Sequence, residues 1–416
     1  VPALRRRGVL AAGLAALSGV LPPRGAAAGA AAPPGAAEPW GFGALFPFSG
    51  AQALLGDESF RGLDLAAAER NAAGGLLGRP VRLLRGDAAD PAQATAEVKR
   101  LVEQAQAAAI FGSASSTVSF AASAAAELAG VPYFELDAMA DPITERGLKL
   151  LFRSGPLAST CGVLAVDTVA DLLAPRWQVA PRQLKLVILH PDALGPAALA
   201  AAEERRCQER GLALAERIAY SATTLDLGPV VQRLRGAGVE VLLHTGLVDD
   251  VPLLFRTMKQ AGWRPRMVVG AGGGYALSET AQALGPDLEG VMSVGLTPYH
   301  TSEIVAPGAS EAASAYQRKY GAPPRSGHSL VSLAGARVFC DVIERAGGLD
   351  HDRLRAAVQA TDIPPGATVG GWGVRFDERG QNLRAVPYLA QWQGGVLVTV
   401  APVEAAVAQA AWTLGG

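Results

Sequence analysis

Three consecutive hydroxyl side chains, Ser115, Ser116 and Thr117, stand where the apolar run AAAIF gives way to the alanine-rich stretch SFAASAAAEL. The first run has the pattern of a strand and the second that of a helix, so the hydroxyls fall on a strand-to-helix junction. The first turn of a helix presents backbone N–H groups without intrahelical partners, and its dipole is positive there. Such a junction receives a carboxylate or a phosphate. Serine and threonine at the same place also cap helices that bind nothing. On these residues alone both readings stand.

Other chemistry is poorly supplied. The glycine-rich GAGGGY at 270–275 follows an apolar strand, but it lacks the G-x-G-x-x-G order of a dinucleotide loop, since its last position is Tyr275. It reads as a permissive turn at the edge of a cleft. The chain has neither a G-x-S-x-G elbow nor an H-E-x-x-H helix. Its histidines, at 190, 244, 300, 328 and 351, are widely separated, and His190 and His244 each end a strand-like run. Asp249 and Asp250 are adjacent, so their side chains diverge on a helix and make no oxygen cage. The expectation is a binding protein without catalytic residues, cofactor or metal.

The elements that position the junction alternate in a regular way. WGFGALF, PVRLLRGD, AAAIF and VPYFEL are strand candidates, separated by helical patterns around 57–72, 90–106 and after Ser116. The β-loop-α order restarts after about Pro156, with strands at LKLVILH, ALAERIAY, VEVLLHT, RMVVG and GVMSVGL and helices at 228–237 and 250–261. Repeated β-loop-α units argue for parallel sheets covered by helices, and two such lobes fit better than one very large sheet. The expected division is 38–157 and 292–369 for one lobe, and 158–291 with the closing strands of 370–416 for the other. In open α/β sheets ligands bind beyond the carboxyl ends of strands. The residues 114–117, 136–139, Leu157, Leu247 and 270–274 all occupy such ends, and together they would line an interlobe cleft.

The flanking composition agrees. The chain has 416 residues, 18% charged and 50% hydrophobic, with a formal net charge of −1, which suggests no basic nucleic-acid surface. Residues 1–37 read as an export signal: Arg5, Arg6 and Arg7 precede a short apolar run and A-x-A-like sites, and the arginines also resemble a twin-arginine signal. No later segment reads as apolar for long enough to cross a membrane. Cys161, Cys207 and Cys340 are odd in number and far apart, so they read as free thiols.

Three stretches carry a family resemblance: LFPFSGAQALLGDESFRGLDLAAAERNAAGGLLGRPVRLLRGDAADPAQA, IFGSASSTVSFAASAAAELAGVPYFELDAMADPITERG and GVRFDERGQN. The chain resembles the branched-chain amino-acid-binding proteins of ABC importers over nearly all of 38–400. The resemblance implies the type 1 periplasmic-binding-protein fold, α/β with two Rossmann-like lobes joined by several crossing segments. It also implies a periplasmic location, and delivery of a small solute to an inner-membrane permease with cytoplasmic ATPase subunits. It places Ala114 and Ser116, with Ser115 and Thr117 beside them, at the contacts to a ligand carboxylate, and Ala138 at a backbone contact. Departures are as informative. Met139 replaces a threonine, Gly272 replaces the acidic partner of the α-ammonium, and Leu55, Leu194 and Leu247 replace tyrosines. Ala89 and Ser115 stand where some relatives have a disulfide. The expected ligand is a small hydrophobic or aromatic carboxylate, with Tyr275 and Tyr299 as candidates for lining its nonpolar body. A branched-chain amino acid or an amide is the alternative ligand, and a ligand sensor the alternative role.

Overall fold

A computed structural model describes residues 38–414. The expected export segment, 1–37, lies outside the described residues.

The first sheet contains β1 (Trp40–Phe46), β2 (Val81–Asp87), β3 (Ala109–Gly112), β4 (Tyr133–Glu135) and β5 (Leu151–Arg153), all parallel, in the order β2-β1-β3-β4-β5. Side chains alternate along these strands. Phe42, Ala44 and Phe46 of β1 enter one core with Phe111, Phe134 and Phe339, while Leu45 enters another with Ile110, Val118 and Tyr133. The sheet is therefore covered on both faces, which explains why its inner strands are apolar apart from Glu135 at the end of β4.

The second sheet repeats the plan with β6 (Leu186–Pro191), β7 (Leu214–Tyr220), β8 (Val241–Thr245), β9 (Met267–Ala271) and β10 (Met292–Gly295). A short pair, β11 (Asp362–Ile363) and β12 (Val374–Arg375), stands apart, and β13 (Tyr388–Gln393) and β14 (Val396–Ala401) complete the second sheet antiparallel. Its order is β14-β13-β10-β9-β8-β6-β7. Leu186 and Ile188 face one core, Val187 and Leu189 the other.

The chain passes between the sheets three times: between Arg153 and Ala158, between Gly295 and Ala306, and between Phe376 and Tyr388. Helices Ala309–Tyr320, His328–Ala346 and His351–Gln359 return to the first lobe, where Phe339 packs on Phe134 with ring centroids 4.6 Å apart. The expected boundary at 292 gave Met292–Gly295 to the first lobe. Here those residues form β10, buried between β9 and β13 of the second sheet, because the crossing falls after Gly295. The boundary at 370 is later as well: Phe376 sits in the first lobe's core and Gln381 pairs with Arg153 of β5.

One expectation about apolar segments is corrected. Ala158–Arg176 is long and apolar enough to cross a membrane by length and composition. It is a core helix instead, with Cys161, Ala165, Val166, Val169 and Leu173 packed against the second sheet. All three cysteines are buried and free.

Candidate ligand-binding cleft

In each sheet the direction of winding reverses beside the first strand of its lobe, between β1 and β3 and between β6 and β8. Loops leaving such a point diverge and open a crevice at the carboxyl ends. The two crevices face one another around a cavity of about 80 Å³. On a scale of about 10–15 Å³ per water-sized probe, that space suits a molecule of several heavy atoms rather than a peptide.

The first lobe supplies Ala114, Ser115, Ser116 and Thr117 after β3, Asp137, Ala138 and Met139 after β4, and Gln52 and Leu55 at the start of the helix after β1. The second lobe supplies Gly195 after β6, Thr245, Gly246 and Leu247 at the end of β8, and Gly272 and Gly273 after β9. Eight residues singled out from sequence thus meet in one cavity: Ala114, Ser115, Ser116, Thr117, Ala138, Met139, Leu247 and Gly272.

The hydroxyls are not consumed by capping. Ser115 is the N-cap of helix Ser116–Leu128, yet no side-chain bond closes that cap. Ser116 Oγ accepts the Ala140 N–H at 3.2 Å, which leaves its own proton to donate elsewhere. Beneath the loop lies Glu135, fully buried. Its carboxyl accepts the N–H groups of Ser113, Asp137 and Ala138 at 2.8–3.0 Å, and the Ser119 hydroxyl. Burial nevertheless pushes it up to about 7. Arg153, equally buried, donates to the carbonyls of Ala138 and Ala140 at 3.2 and 2.7 Å. Burial pushes its guanidinium down to about 10. The 137–140 loop is therefore gripped by its N–H groups from one side and by its carbonyls from the other.

Asp137 is held differently. Its carboxyl accepts the Ser59 hydroxyl, and burial, reinforced by the charge of Glu135, raises it well above the usual carboxylate range. Ser332 lies near enough to favour the anion, without closing a hydrogen bond to Oδ1. Burial therefore favours the neutral form of this acid.

The far wall is built from backbone. Gly272 has φ +86°, and a Cβ there would lie 2.6 Å from the Gly246 carbonyl oxygen, so no side chain fits. A Cβ on Gly273 would lie 2.2 Å from Leu55 Cδ1, so this glycine lets the lobes touch. Between the lobes, Arg325 bonds Asp57 of the first lobe at 2.8 Å and Glu279 of the second at 2.8 Å, and its carbonyl accepts the Ser278 N–H at 2.9 Å.

Two expected residues do not reach the cavity. Tyr275 is fully buried: its ring lies under Gly270, where a Cβ would come within 2.4 Å of it, and its hydroxyl bonds His244 Nδ1 at 2.6 Å. Tyr299 bonds the Ser329 hydroxyl at 3.0 Å and packs against the first lobe's core. Of the tyrosine replacements, Leu55 and Leu247 line the cavity, while Leu194 packs against the first lobe's other core. Sequence reasoning missed Gln52, Thr245 and His328. Thr245 ends β8 one residue after His244, so strand-end position was the available signal. His328 opens a helix from a distant part of the chain, and no local pattern marks it. Its Nδ1 pairs with Ser326 Oγ at 3.0 Å, and burial pushes it down to about 4, so it is neutral.

Two α/β lobes, three crossings and a donor-lined cavity between them define a solute-binding protein of the type 1 periplasmic-binding fold. A family profile described as periplasmic binding protein matches residues 39–396, and the chain belongs to that family. It is similar to Leu/Ile/Val-binding protein homolog 8 of Brucella abortus, 42% identical over 88% of this chain and 92% of that one. Homolog 7 of Brucella suis is 41% identical over the same shares. Among solved structures, the isoleucine-bound branched-chain amino acid transporter substrate-binding protein of Streptococcus pneumoniae matches with a TM-score of 0.74. It is 21% identical, over 88% of this chain and 100% of that one. A solute-binding protein of an R. palustris ABC transporter, in complex with 4-hydroxybenzoate, matches with a TM-score of 0.75, at 20% identity over 88% and 97%. The chain is thus an extracytoplasmic solute-binding component of an ABC importer, from a family of transport proteins rather than enzymes.

Proposed function

We propose that the cleft binds a small carboxylate with an aliphatic or aromatic body and presents it to an inner-membrane permease. The observation that carries this reading is the donor-rich start of helix Ser116–Leu128 opening into the interlobe cavity, with the Ser116 proton unspent. A carboxylate there meets backbone N–H groups and two hydroxyls. Its body would meet Leu55, Met139 and Leu247. Tyr275, turned into the second lobe's core, contributes only by supporting the wall.

An α-ammonium removed from water needs a negative partner. The position resembling the family's acid is Gly272, and its backbone excludes any side chain. The fold itself does not choose, since structures of this fold hold isoleucine in one case and 4-hydroxybenzoate in another. The amino-acid reading has two supports: the Brucella relatives' names, and Asp137, whose Oδ1 accepts no hydrogen bond.

Calorimetry with leucine, 4-methylpentanoate, benzoate and leucinamide decides between them. The acids should bind at least tenfold more tightly than leucine, and solution scattering should show compaction with the ligand recovered unchanged. Tighter binding of leucine than of 4-methylpentanoate would overturn the ligand assignment and point to Asp137 as the ammonium partner.

A further inference from the structure

The cleft has a second chamber behind it. Met139, Gly272, Gly273 and His328 line the cleft and, with their other sides, a smaller cavity of about 30 Å³. That cavity is walled further by Val294, Leu296 and Leu397. Ala276 and Leu397 in turn also line a hinge-side cavity of about 430 Å³, where Tyr299 and Trp392 stand. Three spaces therefore lie in series, separated by single layers of residues.

The first of these layers is thin in a particular way. Gly272 and Gly273 contribute no side chain, and His328 is fixed by its bond to Ser326. Met139 is the one long, unbranched side chain in the partition. It packs against the second lobe's core, with Sδ 3.7 Å from Cys161 Sγ, and spans from the first lobe's loop to the second lobe. A methionine fills an irregular gap without setting a rigid shape.

We propose that Met139 is a specificity-determining residue that sets the length of the solute: its side chain closes the partition behind the cleft, and shortening it joins the cleft to the chamber behind. The proposal rests on the cleft being the solute site, and on nothing about the solute's headgroup. The protein as it stands then selects compact solutes, and the shortened variant accepts the same headgroup on a longer chain. Burying each added methylene is worth about fourfold in affinity at roughly 0.8 kcal/mol per CH₂.

The test uses two ladders that lengthen by one methylene at a time: benzoate, phenylacetate, 3-phenylpropionate and 4-phenylbutyrate, and alanine, 2-aminobutyrate, norvaline and norleucine. Each is titrated calorimetrically into the full protein and into Met139→Ala, with Met139→Thr as a second variant should the first unfold. In the wild type, affinity should peak at a short member and fall beyond it. In the variants the optimum should move at least one methylene longer, with a gain of about fourfold per added group. An unchanged rank order, with all affinities lowered together, overturns the proposal. If only the amino-acid ladder binds, the carboxylate reading fails, while the position of the optimum still decides the role of Met139. Xenon-pressurised crystals give a readout without solute: xenon in the rear chamber of Met139→Ala should connect with the cleft, and a sealed chamber there would count against the partition.

Discussion

Ser116 makes contacts of two kinds, and they separate its structural from its binding role. As an acceptor it fixes the buried Ala140 N–H. As a donor it faces the space a ligand would fill. Ser116→Ala should weaken the ligand by roughly 1–3 kcal/mol, the range for a hydrogen bond to a charged group. Ser116→Thr, which keeps the hydroxyl, should restore most of that, measured by calorimetry. Equal losses in both variants would mean that the backbone alone holds the anion. At this scale the sequence was legible where a residue's position is set by its loop. Residues 114–117, Ala138, Met139 and Leu247 reach the cavity because strand ends dictate where their loops begin. Tyr275 was misread because orientation in a short turn depends on what lies beneath it. The space under Gly270 and the His244 acceptor draw the ring inward, and neither is visible in a local pattern.

Elements were legible because they bury periodic apolar faces. The strand runs of both lobes and helices such as Gly228–Ala237 and Asp250–Gln260 follow directly from period and breakers. What the pattern does not disclose is a polar group locked inside a helix pair. Glu203, on helix Leu194–Arg210, is 1% exposed where that helix meets Ala158–Asp167, and its Oε2 has no hydrogen-bond partner. Burial pushes its carboxyl up to about 8. In the unfolded chain the proton leaves near 4.5, so between those values the folded state holds the extra proton. Stability therefore falls as pH rises from about 4.5 to about 8. Glu135 and Asp250, each raised to about 7 by burial, act in the same direction. His244 and His328, lowered to about 3 and about 4, act oppositely, but only below about 6.5. Glu203→Gln should thus melt progressively higher than the wild type as pH is raised from 6.5 to 8.5, by calorimetric scan. A constant difference across that range would show that Glu203 is already ionised.

For the whole molecule, Arg325 forms an ionic clasp between the lobes. Its partners Asp57 and Glu279 belong to different lobes, so separation must break one of them. The pair is partly exposed, and such pairs are worth up to about 1 kcal/mol. Glu279→Gln should therefore raise the ligand's dissociation rate about two- to fivefold with little change in association, by stopped-flow fluorescence. A change confined to association would assign Arg325 to encounter instead of retention. We further propose that the two lobes move as the units that their sheets define.

The three crossings also fix an order of events during synthesis. Phe42, Phe111 and Phe134 emerge from the ribosome early, but their core is completed by Phe339 on helix His328–Ala346. Everything from Ala158 to Gly295, most of the other lobe, must be made in between, and that lobe in turn waits for β13. Contacts so distant along the chain form slowly and late. The first lobe therefore cannot complete its core until most of the chain has been made.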